Sequence, residues 1–153
     1  VQTCALPISP RGWESPGLTE TDETINLLSA AGIDYVADWV IDDQPTWIQG
    51  TPRPMLSVPY TVELNDIPLM AIQHHRSDEL YQRGVLQMER LAQESAHNPR
   101  VMAISVHPYI TGVPHRIAAF EKLLDHVQAH ADVAIMPGVQ VADWYSAQVP
   151  PRN

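Results

Sequence analysis

The sequence predicts an α/β fold, an open sheet of about four parallel strands with helices between them. Short apolar runs alternate with amphipathic stretches of helix length, the order that builds a parallel sheet. Residues 101–106 are nearly all apolar, as expected of a parallel strand covered on both faces. Four strands fall short of the about eight strands and ~250 residues of a closed β/α barrel, and the chain has 153 residues. It reads as a small open domain or as part of a larger one.

The elements follow in order. Residues 1–8 resemble the translation of a sequencing-library adapter and are set aside. The domain is expected over 9–147, with 148–153 as a tail. Thr19 or Thr21 can cap a helix whose first turn carries Glu20, Asp22 and Glu23, acids that suit the positive end of the helix dipole. Ile25, Leu27, Leu28 and Ala31 form its apolar stripe and Gly32 its left-handed stop. A β-prone run at 33–39 comes next. Pro45, Gly50, Pro52 and Pro54 mark a loop, and 55–58 reads as a second strand ended by Pro59. Ser77, backed by Asp78 and Glu79, opens the longest helix, with Tyr81, Val85, Met88 and Ala92 at helical spacing as far as Asn98-Pro99. The strand 101–106 ends at His107-Pro108. Pro114 suits the first turn of a helix with Ile117, Phe120, Leu124 and Val127 on one face. A last strand at 133–136 and a helix from Gly138 through Trp144 complete the pattern.

Composition narrows the function classes. Eighteen acidic against nine basic residues give a net charge of −9, which disfavours nucleic acid and anionic membrane as partners. No apolar run approaches the ~20 residues of a membrane span. Cys4 is the only cysteine, so an internal disulfide and a cysteine-based zinc site are excluded. The compartment is left open, with the cytoplasm favoured.

In parallel α/β folds ligands gather beyond the carboxyl ends of strands, and three polar clusters fall there. His107 follows six residues of which five are apolar and precedes Pro108, so a backbone of little freedom presents an imidazole, whose ordinary pKa of ~6.5 suits acid or base work at neutral pH. The alternative is a buried histidine bonded to a loop. Asp38, Asp42 and Asp43 stand beside Trp39 and Trp47; the carboxylates could orient a histidine or bond a sugar, and the indoles could stack on a pyranose, or the segment is a solvated loop with Trp39 in the core. Asn65-Asp66 sits in a loop between Pro59 and Pro68, a substrate lid or an Asx turn. Trp13 is a pocket wall or core. Ser105 lacks the flanking glycines of a nucleophile elbow. Adjacent His74 and His75 diverge, and His126 and His130, spaced i, i+4 without an intervening Glu, read as surface histidines in a last helical turn.

Gly12-Trp13, the segment 34–39 (Asp-Tyr-Val-Ala-Asp-Trp) with Asp42-Asp43-Gln44-Pro45, the segment 56–60 (Leu-Ser-Val-Pro-Tyr), the segment 64–68 (Leu-Asn-Asp-Ile-Pro) and His107-Pro108-Tyr109-Ile110 together resemble the polysaccharide deacetylase family. The likeness runs from about Ser9 to Tyr145 and is greatest to the branch of allantoinase-like and peptidoglycan-deacetylase-like proteins. The resemblance implies the C-terminal half of a distorted β/α (TIM-like) barrel that hydrolyses carbon–nitrogen amide bonds. It matches His107 to the general acid that protonates the leaving amine and Asp38 to the carboxylate that orients it. It places Trp13 and Trp39 on the pocket lining; Asp43, Asn65, Asp66 and Tyr109 are further candidate substrate contacts. The family's aspartate base and Asp-His-His zinc site come from an N-terminal half, so no metal ligand is expected in this segment, and the allantoinase-like branch need not use a metal. Glu14 stands about where the family carries an arginine, with Arg11 nearby.

The expectation is deacetylation of an N-acetylated sugar or a related small amide by a longer parent, this segment alone being inactive. The alternatives are hydrolysis of a cyclic ureide such as allantoin and a non-catalytic carbohydrate-binding or interaction domain. The expected partner is a small-molecule or carbohydrate substrate, with a homo-oligomer open.

Overall fold

A computed structural model describes residues 9–151; the adapter-like segment 1–8, with Cys4, and the last two residues of the tail lie outside the described residues. The chain divides into two compact units, one built from the residues up to 39 with 45–58 and those from 136 on, the other from 40–44 with 59–135. No helix among the described residues is long and apolar enough to cross a membrane.

The first unit holds a four-stranded sheet. Strands β1 (Gly12–Trp13), β2 (Tyr35–Val36), β3 (Thr46–Ile48) and β4 (Met55–Ser57) lie in the order β1-β2-β4-β3. β1, β2 and β4 are mutually parallel, whereas β3 is antiparallel to β4. The sequence reading assigned neither β1 nor β3 as a strand. Each is only two or three residues long, too short for a period-2 pattern to register.

Helix α1 (Thr24–Ala30) returns the chain from β1 to β2. It ends as predicted: Gly32 takes φ +86°, Ile33 N–H reaches Leu28 C=O at 3.1 Å and Gly32 N–H reaches Ser29 C=O at 3.2 Å, the paired closure of a Schellman motif. Its start differs, since neither Thr19 nor Thr21 caps it. Thr24 Oγ1 instead accepts the Thr21 N–H at 2.9 Å, and Thr19 Oγ1 donates to Pro16 C=O. The stripe is also narrower: Ile25 and Leu28 join the core with Ile33, Val36 and Met55, while Leu27 is exposed. Helix α4 (Gly138–Gln148) closes this unit. Arg11 ties it to the sheet, giving bonds of 2.6 Å to both Asp34 and Asp143, and Trp47 Nε1 donates to Val149 C=O at 2.7 Å.

The second unit packs helices α2 (Glu79–Glu94) and α3 (Ile117–Ala129) around Leu64, Leu69, Leu80, Met88, Ile110 and Leu123. Two predicted strands are corrected here. Residues 101–106 pack Met102, Ile104 and Val106 on this core, but their pairing is one parallel bridge, Asn65 with Ser105. Ser105 N–H reaches Leu64 C=O and Asp66 N–H reaches Ser105 C=O, too few bonds for a ladder. Residues 133–136 join no strand, and Ile135 and Met136 are exposed. An apolar run becomes a strand only when a neighbouring backbone takes its N–H and C=O groups.

Candidate active site

His107 ends the extended run and begins a turn in which its C=O accepts from both Ile110 and Thr111 N–H at 2.9 Å. The turn returns Thr111 towards the chain before it. Between them lies Asp66, with no exposed surface. Its Oδ2 accepts the His107 backbone N–H at 2.7 Å and the Thr111 hydroxyl at 2.6 Å, and its Oδ1 bonds His107 Nδ1 at 2.7 Å. Three donors converging on one carboxylate compensate its removal from water. With Nδ1 so engaged, Nε2 is the ring nitrogen left for other chemistry, and the side chain is 32% exposed. Tyr109, itself exposed, meets the ring edge-on at 5.5 Å.

The neighbouring Asn65 is buried and makes the Asx turn considered from sequence: its Oδ1 accepts the Ile67 N–H at 3.0 Å. Its Nδ2 donates to Tyr60 Oη at 3.3 Å, and Tyr60 Oη lies 3.0 Å from Ser105 Oγ. The turn leads into a short wide helix at Ile67–Ile72, at the end of the loop expected between Pro59 and Pro68.

Asp38, beyond the carboxyl end of β2 in the first unit, is also buried, at 3% exposure. Its Oδ1 accepts the Ser15 N–H at 2.6 Å and its Oδ2 the Ser15 hydroxyl at 2.8 Å, while Trp13 Nε1 donates to Ser15 Oγ at 2.9 Å. Burial pushes the Asp38 carboxyl above the usual aspartate range; Ser15 pulls it down and the nearby Glu20 carboxyl pushes it up. Glu20 Oε1 is buried without a hydrogen-bond partner. Thus the carboxylate on His107 is that of Asp66, and the bonds of Asp38 run to Ser15.

Trp39 is half-buried against the first core and Trp13 is 39% exposed. Asp43 is half-buried, and its backbone C=O holds the Val101 N–H at 2.8 Å. His126 and His130 are not plain surface histidines: each buries one ring nitrogen without a partner. Among the described residues no three His, Cys, Asp or Glu side chains converge as a metal site. Sequence reasoning missed Thr111, Ser15 and Glu20. Thr111 had a usable signal, four residues beyond the histidine across a proline turn.

No family model matches the chain. Over 127 residues, 76% of this chain and 40% of the relative, it is 29% identical to a Schizosaccharomyces pombe protein provisionally named a polysaccharide deacetylase. The crystal structure of PuuE allantoinase matches with a TM-score of 0.84 at 25% identity, over 94% of this chain and 48% of that one. A Pseudomonas aeruginosa PAO1 protein, described as a probable polysaccharide deacetylase, matches at 0.83 and 25% over the same shares. A Mycobacterium smegmatis protein provisionally named likewise matches at 0.83 and 19%, over 95% of this chain and 53% of its own, a likeness of fold. The chain therefore spans from two fifths to about half the length of these relatives. The resemblance read from its motifs holds, and its fold is a mixed α/β arrangement with an open sheet, matching part of a deacetylase-type barrel.

Proposed function

We propose that the chain is part of a hydrolase of carbon–nitrogen bonds in non-peptide amides, with His107 as its general acid. The observation that carries this reading is the 2.7 Å bond from His107 Nδ1 to buried Asp66, which leaves Nε2 as the ring nitrogen free to take up and pass on a proton. In the reaction water gives up a proton to the aspartate base that the family pattern assigns to the other half and adds to the amide carbonyl carbon, the carbon–nitrogen bond breaks to leave a carboxylate, and Nε2 gives its proton to the departing nitrogen. Asp66 fixes the orientation of the ring. The orienting part that the family pattern assigned to Asp38 passes to Asp66, because both Asp38 oxygens are bonded to Ser15. Trp13, Trp39, Asp43, Asn65 and Tyr109 stand as candidate substrate contacts.

The substrate class is an N-acetylated sugar or a related small amide, supported by the deacetylase names among the relatives. The likeness to an allantoinase favours a second reading, ring-opening of a cyclic ureide. The test is His107→Ala in the full-length protein, assayed on an N-acetylated sugar oligomer and on allantoin. Turnover of one substrate should fall by roughly 10²–10⁴-fold with the fold intact. Unchanged turnover would remove His107 from the mechanism, and ureide turnover without deacetylation would select the second reading.

A further inference from the structure

Trp39 packs against the core of the first unit, whereas Trp13, at the end of β1, is 39% exposed. An exposed side chain ordinarily exchanges rotamers freely. That of Trp13 is tied by its ring nitrogen to buried groups. Trp13 Nε1 donates to Ser15 Oγ at 2.9 Å, and an indole N–H is a donor only. Ser15 accepts there and gives its own hydroxyl proton to Asp38 Oδ2 at 2.8 Å. The Ser15 backbone N–H donates to the other carboxylate oxygen, Oδ1, at 2.6 Å. Both Ser15 and Asp38 are buried.

The backbone holds these groups in turn. Trp13 C=O accepts the Ala37 N–H at 2.9 Å, one residue before Asp38, and Ser15 C=O accepts the Leu18 N–H at 2.9 Å. Trp13 ends β1 and Asp38 follows β2, its parallel neighbour. Both therefore stand at the carboxyl edge of the sheet, where parallel α/β folds hold ligands. A buried carboxylate thus sets the orientation of an aromatic ring at that edge, and part of the ring's surface is open to solvent.

We infer that Ser15 and Asp38 are positioning residues, which hold Trp13 as a fixed stacking platform for the ring of the substrate. The inference rests on the amide-hydrolase reading and adds to it how the ring is gripped. A pyranose offers an indole the C–H groups of one face, and a cyclic ureide offers a flat ring; both stack on the same surface. A side chain already held in its binding rotamer loses no further freedom when the ligand arrives, which is worth about 2–10-fold in affinity. Asp38 on this reading orients an aromatic wall, and Asp66 orients the acid.

The test uses the full-length protein as wild type, Ser15→Ala, Trp13→Ala, their double variant and His107→Ala. KM and kcat are measured on an N-acetylated sugar oligomer and on allantoin, and Kd for N-acetylglucosamine and for allantoin by calorimetry. Ser15→Ala should raise KM and Kd for one of the two rings by about 2–10-fold, with the loss in KM and not in kcat. Trp13→Ala should raise them by about tenfold or more. The double variant should lose no more than Trp13→Ala, because Ser15 acts through the indole; a merely structural Ser15 would add its own loss. Should Ser15→Ala fail to fold, Trp13→Phe, which keeps an aromatic face and lacks the N–H, should show the same rise. Additive losses, wild-type KM and Kd in Ser15→Ala, or a wild type that binds neither ring overturn the inference. Full kcat in His107→Ala, with Kd responding to Ser15→Ala as expected, overturns the hydrolase reading alone.

Discussion

His107 and Asp66 are 41 residues apart in sequence, and buried Asp66 accepts three donors, of which the Thr111 hydroxyl is itself buried. Thr111→Val keeps the side-chain volume and removes one of them, so the unfolding free energy in urea should fall by about 1–2 kcal/mol. Asp38 behaves differently. Its carboxyl lies above the ordinary range, first because it is buried and then because Glu20 faces it, against the two bonds from Ser15. A carboxyl whose pKa is higher folded than unfolded favours folding in its protonated form. That contribution is complete below the unfolded value, ~3.9 for aspartate, and is lost as pH rises through the higher folded value. The stability of the wild type relative to Asp38→Asn should therefore decline between acid and neutral pH. A gap that is constant with pH in urea melts would show that Asp38 carries no such shift. His107 was legible because an apolar run ending in His-Pro is a local pattern. Its partner was not, since nothing in a polar Asn-Asp dipeptide states which later residue it will meet.

At the scale of elements, the helices were legible and half the strands were not. Helices satisfy their own backbone, so an apolar stripe and a stop signal suffice to place them: α2 and α3 fall where periodicity put them, though their buried faces centre on Leu80, Gly84, Met88 and Leu91 and on Leu123 and Val127, α4 starts at Gly138 but runs on to Gln148, and Gly32 ends α1. A strand depends on a neighbour, and the run 101–106 finds only the bridge at Ser105. Close packing of α2 on α3 offers a test of the second core. A Cβ added to Gly84 would stand 2.6 Å from Leu123 Cδ1, and Leu123 is fully buried. Helix propensity favours Gly84→Ala by about 1 kcal/mol; overpacking opposes it by about 1–3 kcal/mol. Leu123 has little room to yield, so the thermal midpoint should drop. A raised midpoint would mean that the contact between the helices is looser than the structure has it.

The two units differ in how the chain makes them, and this decides how each answers to truncation. The second unit draws nearly all its core from one continuous stretch, 59–135, in which α2 and α3 pack through Leu80, Met88, Leu123 and Val127. The first is assembled from three separated stretches and is tied by bonds such as Arg11 to Asp143, 132 residues apart, and Trp47 to Val149, 102 apart. Such contacts form only after long loops have closed. A chain ending at Ile135 would lack α4, the buried Val141 and Ala142, and the bonds of Arg11 to Asp143 and of Trp47 to Val149. Amide hydrogen exchange should then remain near wild-type protection in α2 and α3, while α1 and β2 exchange faster by at least a factor of about ten. An equal loss of protection in both sets would mean instead that the two cores open as one cooperative unit.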